Sequence, residues 1–196
     1  DLSSGETTYI QPQNLENQTP ERYNWDAPIL ISSHKPNRIF FASQHLWKSE
    51  DRGDSWLKIS PDLTNNVERF AEPIMEKVQS FDNAWDVYAM STFSTITSIA
   101  ESPLNQKILC VGTDDGLIQL TKDGGLTWKT TLLGERIYNI TAKDSLVLAS
   151  SQSGLWKSYD GENWALYSPA IDTTFMAQSE ILTDIVYTSV IDERKI

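Results

Sequence analysis

The chain has 196 residues, 39% of them hydrophobic, 22% charged and 10% aromatic, which is the make-up of a globular protein and excludes fibrous, collagenous and disordered classes. The 16 Lys and Arg against 27 Asp and Glu leave a formal charge of −11, which repels nucleic-acid phosphates and anionic membranes. Apolar runs such as Ile108 to Gly112 stop far short of the roughly 20 residues of a membrane helix, the polar start Asp1 to Gly5 carries no signal-peptide pattern, and one cysteine (Cys110) with two histidines (His34, His45) excludes an internal disulfide and Cys- or His-based metal sites.

Along the chain, Gly5-Glu6-Thr7-Thr8-Tyr9-Ile10 reads as the last strand of an earlier unit. Asn24-Trp25-Asp26-Ala27-Pro28 then leads into a short apolar run, Ile29-Leu30-Ile31, and a second, Arg38-Ile39-Phe40-Phe41-Ala42-Ser43. After the loop Gln44-His45 comes Leu46-Trp47-Lys48, and then Ser49-Glu50-Asp51-Arg52-Gly53-Asp54-Ser55-Trp56. The same series returns twice. Thr97 to Ala100, Lys107 to Gly112 and Leu117 to Leu120 precede Thr121-Lys122-Asp123-Gly124-Gly125-Leu126-Thr127-Trp128. Tyr138 to Ile140, Ser145 to Ser150 and Leu155 to Lys157 precede Ser158-Tyr159-Asp160-Gly161-Glu162-Asn163-Trp164, whose turn is one residue shorter between Asp and Trp. Each unit is four short strands, with an Asp-Gly turn joining the third to the fourth.

Spacing exposes an insertion. Asp123 and Asp160 lie 37 residues apart, whereas Asp51 and Asp123 lie 72 apart. Residues 61–95 lack the run-turn-run pattern, and Val67, Phe70, Ile74 and Val78 fall at helical spacing; Pro73 limits this to a short helix or ordered loop. The stretch from Ile181 to Ile196 tracks that from Thr97 to Ile108, as the start of another unit. The reading is one all-β domain over 1–196, a partial β-propeller of four-stranded antiparallel blades at about 27–60, 96–132 and 137–168, a partial one at 181–196, and the insertion at 61–95. An unclosed array leaves apolar sheet faces open, so remaining blades of a longer chain, or self-association, are expected as partners.

The repeated turn has a mechanical explanation. Its Asp accepts hydrogen bonds from the loop's own backbone, its Gly takes a positive φ, its hydroxyl bonds locally, and its Trp lies across the hairpin into the blade core. The structural set is Ser49, Asp51, Gly53 and Trp56, then Thr121, Asp123, Gly125 and Trp128, then Ser158, Asp160, Gly161 and Trp164.

The pattern at 49–56 and 121–128 resembles the Asp-box of the BNR repeat, found in sialidases, in sortilin-type receptor domains and in xyloglucan-cleaving glycoside hydrolases, all β-propellers. A closer likeness covers about 22–131. Asn24 to Pro28, Ser49 to Trp56, Ile59-Ser60-Pro61-Asp62-Leu63-Thr64, Ile99 to Leu104 and Val111-Gly112-Thr113-Asp114-Asp115-Gly116 are together similar to large bacterial sortilin-like or BNR-repeat "glycosyl hydrolase" proteins. Many of these are exported, which implies an extracellular or periplasmic location. From 132 onward the likeness is to a generic blade.

If the Asp-Gly turns occupy one face, the second-to-third-strand loops and the blade crossings open on the other, where the resemblance places sugar binding. That face is expected to carry Trp25, Asp26, His45, Trp85, Asp86, Tyr88, Asp114 and Asp115, aromatic plates beside polar acceptors that suit a polyol or a protein surface. Trp25 reads first as seam packing and only second as a ligand contact, and of Asp114 and Asp115 one reads as a turn-former, the other as free to face solvent or ligand. For glycoside hydrolysis the acids nearest the role are Asp26 and Asp114, but nothing in the sequence pairs carboxylates, and Arg38-Ile39-Phe40 lacks the proline of the sialidase signature. No phosphate loop, dinucleotide fingerprint or nucleophile elbow occurs, and no metal or cofactor is expected. The function expected is a non-catalytic recognition scaffold for protein or glycan, with glycoside hydrolysis as the competing reading.

Overall fold

A computed structural model describes residues 4, 5, 7–13, 16, 18–70, 73, 78, 92–134 and 136–169, and the backbone alone of 71, 74, 77, 174–182 and 185–192. Three antiparallel sheets follow one another. The first joins β1 (Ile29–Ile31), β2 (Ile39–Ala42), β3 (Leu46–Ser49) and β4 (Leu57–Lys58) in chain order. After the 3₁₀ turn Arg69–Ala71 and the short pair β5 (Pro73–Ile74) and β6 (Lys77–Val78), the second joins β7 (Ile96–Glu101), β8 (Leu109–Thr113), β9 (Leu117–Thr121) and β10 (Lys129–Leu133). The third joins β11 (Ile137–Lys143), β12 (Leu146–Ser151), β13 (Gly154–Ser158) and β14 (Ala165–Pro169). A hairpin of β15 (Thr174–Leu182) and β16 (Ile185–Asp192) comes last.

The repeat has a common register. The hydroxyl residue that opens each Asp-Gly turn pairs across the middle strands, Ser49 with Ile39, Thr121 with Leu109 and Ser158 with Val147. Blades two and three can therefore be laid on blade one position by position. The apolar middle runs are not half-polar surface strands: every residue of β8 and β9 is buried, because the central blade is covered on both faces.

The core accordingly lies between blades. Phe40, Ala42, Leu46 and Leu63 of the first interlock with Ile96, Ile99, Leu109 and Val111 of the second. Ala100, Cys110, Ile118 and Leu120 of the second interlock with Ile137, Ile140 and Ala149 of the third. Each large aliphatic buried this way contributes about 1.5–3 kcal/mol. Contact at the second seam is close enough that a Cβ on Gly112 would stand 2.3 Å from Ile137 Cγ2. Ile99 and Ile140 are 8% and 4% exposed against the preceding blade, while Ile29, at their register position in blade one, is 53% exposed.

The spacing of Val67, Phe70, Ile74 and Val78 yields no α-helix among the described residues, and the 3₁₀ turn Arg69–Ala71 keeps within the short helix or ordered loop expected; Pro73, which cannot donate to a helical ladder, begins the two-residue strand β5. Residues 181 and 182, where a partial unit is expected to open, end β15, which pairs antiparallel with β16. Trp85, Asp86 and Tyr88 lie outside the described residues.

Candidate functional site

The strand connections sort onto two faces. One carries the first-to-second and third-to-fourth turns; the other carries the second-to-third loops and the crossings between blades.

On the turn face the three Asp-Gly turns share one wiring. Ser49 Oγ donates to Asp51 Oδ1 at 2.7 Å and accepts the Gly53 N–H at 2.7 Å; Asp51 then accepts the Ser55 N–H at 2.9 Å and the Ser55 hydroxyl at 2.6 Å. Thr121, Asp123, Gly125 and Thr127 repeat this, at 2.8, 3.0, 2.9 and 2.5 Å. In the shorter third turn Asn163 stands where the hydroxyl was, donating its N–H at 2.8 Å and its amide at 2.6 Å to Asp160. The longer amide side chain makes up for the missing residue. Donors crowding each carboxylate favour its charged form: led by the Ser55 hydroxyl, they draw Asp51 down to about 2, and Asp123 and Asp160 are also held well below the ordinary value.

The tryptophans also reach beyond their own turns: Trp128 Nε1 donates to Gly125 O in its own turn at 3.2 Å and to Ile59 O of the preceding blade at 3.3 Å, and Trp164 Nε1 to Thr131 Oγ1 at 3.0 Å. Trp56 Nε1 donates to Ile10 O at 2.7 Å, so Ile10 holds in blade one the place that Ile59 holds in blade two. Gly125 shows how tight this is, with φ of 102° and its absent Cβ only 2.6 Å from Ile59 O. The turn is a clasp between blades as well as within one.

The loop face is a long-range network. Arg22 donates from Nε to Ser94 O at 3.1 Å, and from its terminal nitrogen to Asp62 Oδ2 at 2.8 Å and Thr64 Oγ1 at 3.1 Å. Its backbone N–H donates to the buried Gln44 Oε1 at 2.6 Å. Burial pulls the Asp62 carboxyl upward, but the Thr64 and Arg22 hydrogen bonds and the guanidinium charge outweigh it and hold the group below its ordinary value. Glu21 behaves alike: burial opposes its charge, and Lys58, Ser43 and His45 prevail.

The residues expected to face a ligand divide. Asp114 is buried, accepting the Thr95 N–H at 2.8 Å and the Thr95 hydroxyl at 2.9 Å, and burial pushes its carboxyl up. Asp115 accepts the Thr113 hydroxyl at 2.6 Å and the Asn65 N–H at 2.7 Å. Both carboxylates thus accept hydrogen bonds from the crossing between blade one and blade two, through Thr95 and Asn65. His45 lies against Glu21, Nδ1 to Oε2 at 2.9 Å. Trp25 is not packed at a seam; it is 88% exposed beside exposed Asp26. The turn carrying them is pinned by the Ala27 N–H on Asn24 O at 3.2 Å and by Asn24 Nδ2 on Thr95 Oγ1 at 3.1 Å. Sequence reasoning missed Glu21, Arg22, Asn65 and Thr95, whose partners on this face lie far along the chain; no local motif marks them.

Consecutive four-stranded antiparallel blades that bury apolar residues at their mutual seams define a segment of a β-propeller. Among solved structures, the chain is similar to the GH74 enzyme of Niastella koreensis (TM-score 0.57, 13% identity, covering 85% of this chain and 26% of that one). It is also similar to the GH74 xyloglucanase of Xanthomonas campestris (TM-score 0.52, 14% identity, 85% and 27%) and to an ancestral GH74 enzyme (TM-score 0.50, 16% identity, 81% and 21%). The chain thus spans about a quarter of the length of these structures. No protein-family model and no curated protein matches it.

Proposed function

We propose that the chain is a non-catalytic recognition scaffold that offers its loop face, around Trp25 and Asp26, to a glycan or protein. The observation that carries the reading is the near-complete exposure of an indole on a hydrogen-bonded turn. A fixed, exposed aromatic plate is suited to stack on a sugar face or a partner side chain, and the adjoining carboxylate can accept hydroxyl or amide donors. Asp62, Asp114, Asp115 and Glu21 support it from the other side, since each already accepts hydrogen bonds that hold the face together. The wiring of the three turns supports reading them as Asp-boxes of a BNR-repeat propeller of the bacterial sortilin-like kind, and that resemblance supports an extracytoplasmic setting, which cell fractionation tests. Exposed Ile29 and Ile31 support a further blade or a second copy against blade one, which light scattering of the chain tests.

The deciding experiment adds xyloglucan oligosaccharides and a glycan array to the chain, following binding by tryptophan fluorescence and turnover by release of reducing ends. Binding without turnover, lost in Trp25→Ala, is the expected result. Turnover abolished by Asp26→Asn in a folded protein would replace the scaffold with a glycoside hydrolase.

A further inference from the structure

The turn face holds a second feature, unrelated to the loop-face reading. At its edge each seam opens into a cleft, and the register makes the two clefts comparable. Between blades one and two the space is about 240 Å³, bordered by Arg38, Phe40, Lys48, Lys107 and Asp123. Between blades two and three it is about 310 Å³. Here Ile108 stands at the position of Arg38, Cys110 at that of Phe40 and Leu120 at that of Lys48. Three substitutions thus convert a charged, ring-filled mouth into an apolar recess.

In the first cleft Arg38 bonds Glu50 at 2.9 Å and Gln106 at 2.8 Å, while the fully buried Phe40 fills the floor. The second is walled by Ala100, Ile108, Cys110, Leu120, Ala142 and Val147. Leu104 and Tyr159, 68% and 65% exposed, flank its mouth. The charges at the rim differ in what they have left to offer. Lys122 is paired with Glu162, and the Asp160 oxygens are committed to their turn. The exposed Asp144 carboxylate makes no hydrogen bond or ion pair among the described residues.

We propose that this cleft is a docking pocket for a partner polypeptide that inserts one aromatic side chain and carries a Lys or Arg beside it. The volume lies at the small end of the ~300–1,000 Å³ range of ligand sites and suits a single ring more than an extended ligand. The thiol of Cys110 on the floor is a favourable neighbour for an aromatic ring. Exposed Leu104 and Tyr159 form the apolar surround that excludes water from an anchor residue. Asp144 and the charge of −11 on the chain select a cationic flank.

The test titrates the 196-residue chain with two dye-labelled, end-blocked peptides, Gly-Arg-Trp-Arg-Gly and Gly-Glu-Trp-Glu-Gly, and with tryptamine, by fluorescence anisotropy and amide chemical shifts. The arginine peptide is expected to bind about tenfold or more tightly than the glutamate peptide, with shifts in 100–110 and 142–147. Cys110→Phe, which fills the recess, and Leu104→Ser, which strips the rim, should each weaken it; Asp144→Asn should weaken it about three- to tenfold. Trp25→Ala, on the opposite face, should leave it unchanged, so this site and the loop-face reading fail separately. If Cys110→Phe does not fold, the two surface variants decide. Equal binding of both peptides, binding untouched by Leu104→Ser and Asp144→Asn, or tryptamine binding as tightly as the peptide would each overturn the proposal.

Discussion

The two faces of this propeller segment are built from the same kinds of side chain by opposite means. On the turn face, Asp51, Asp123 and Asp160 take hydrogen bonds from residues two to four positions away, so the bonding of each carboxylate is complete within its own eight or seven residues. On the loop face, Arg22 reaches 72 residues along the chain to Ser94, and Asp115 accepts from Asn65 at a separation of 50. A local clasp can be copied from blade to blade. A long-range lock has to be composed afresh wherever two particular loops meet.

The largest expected effect tests where the local clasp stops being local. Gly125→Ala forces a Cβ into Ile59 O from a left-handed backbone, and should cost about 3 kcal/mol or more in urea denaturation. Gly134→Ala is the control: φ is 79° with nothing within 4 Å of the added carbon, so only the backbone penalty of about 1–2 kcal/mol applies. Equal costs would mean that the turn does not bear on the preceding blade. Next is Arg22→Ala, which strips the loop face of its bonds to Ser94, Asp62 and Thr64 and should cost about 2–3 kcal/mol. Arg22→Lys should recover little of it, since one ammonium cannot serve three acceptors spread around a planar fork. Thr121→Val, at a buried position, removes the acceptor for the Gly125 N–H and the donor to Asp123 at nearly constant volume; a loss of about 1–2 kcal/mol is expected.

This contrast also explains what could be read in advance. The blades, their strand order and the clasp residues were legible because apolar alternation and a three-fold turn repeat are local signals. The candidate site was legible only in outline. The strand order puts Trp25, Asp114 and Asp115 in loops and crossings, yet nothing beside Asp114 in the sequence announces that Thr95 will cover it. The reach of Trp128 to Ile59 was hidden for the same reason: indole packing is decided by the neighbouring blade, 69 residues away. The spacing of Val67, Phe70, Ile74 and Val78 supports no more than a short helix or ordered loop, because Pro73 removes a donor, and the 3₁₀ turn Arg69–Ala71 keeps within that limit.

The smallest effect is the sharpest on the comparison, because Asp51 of a turn and the buried Asp114 of the loop face should answer pH with opposite sign. Asp51, drawn down to about 2 by its Ser55 and Ser49 hydrogen bonds, stabilises the fold above the ordinary Asp value of about 3.9 and loses that contribution as pH falls toward 2. Asp114, pushed up by burial, does the reverse: its contribution is complete below about 3.9 and declines as pH rises through its elevated folded value. Asp114→Asn keeps an acceptor for the Thr95 N–H without a charge to bury, and should change stability at neutral pH by no more than about 1 kcal/mol. Urea midpoints followed against pH should then separate the variants: Asp51→Asn flattens the limb below about 4, and Asp114→Asn flattens the limb above it. A single limb affected alike by both substitutions would show that the loop-face carboxylate is stabilised as an anion by its partners, just as those of the turns are, and the distinction between local clasp and buried lock would lose its electrostatic basis.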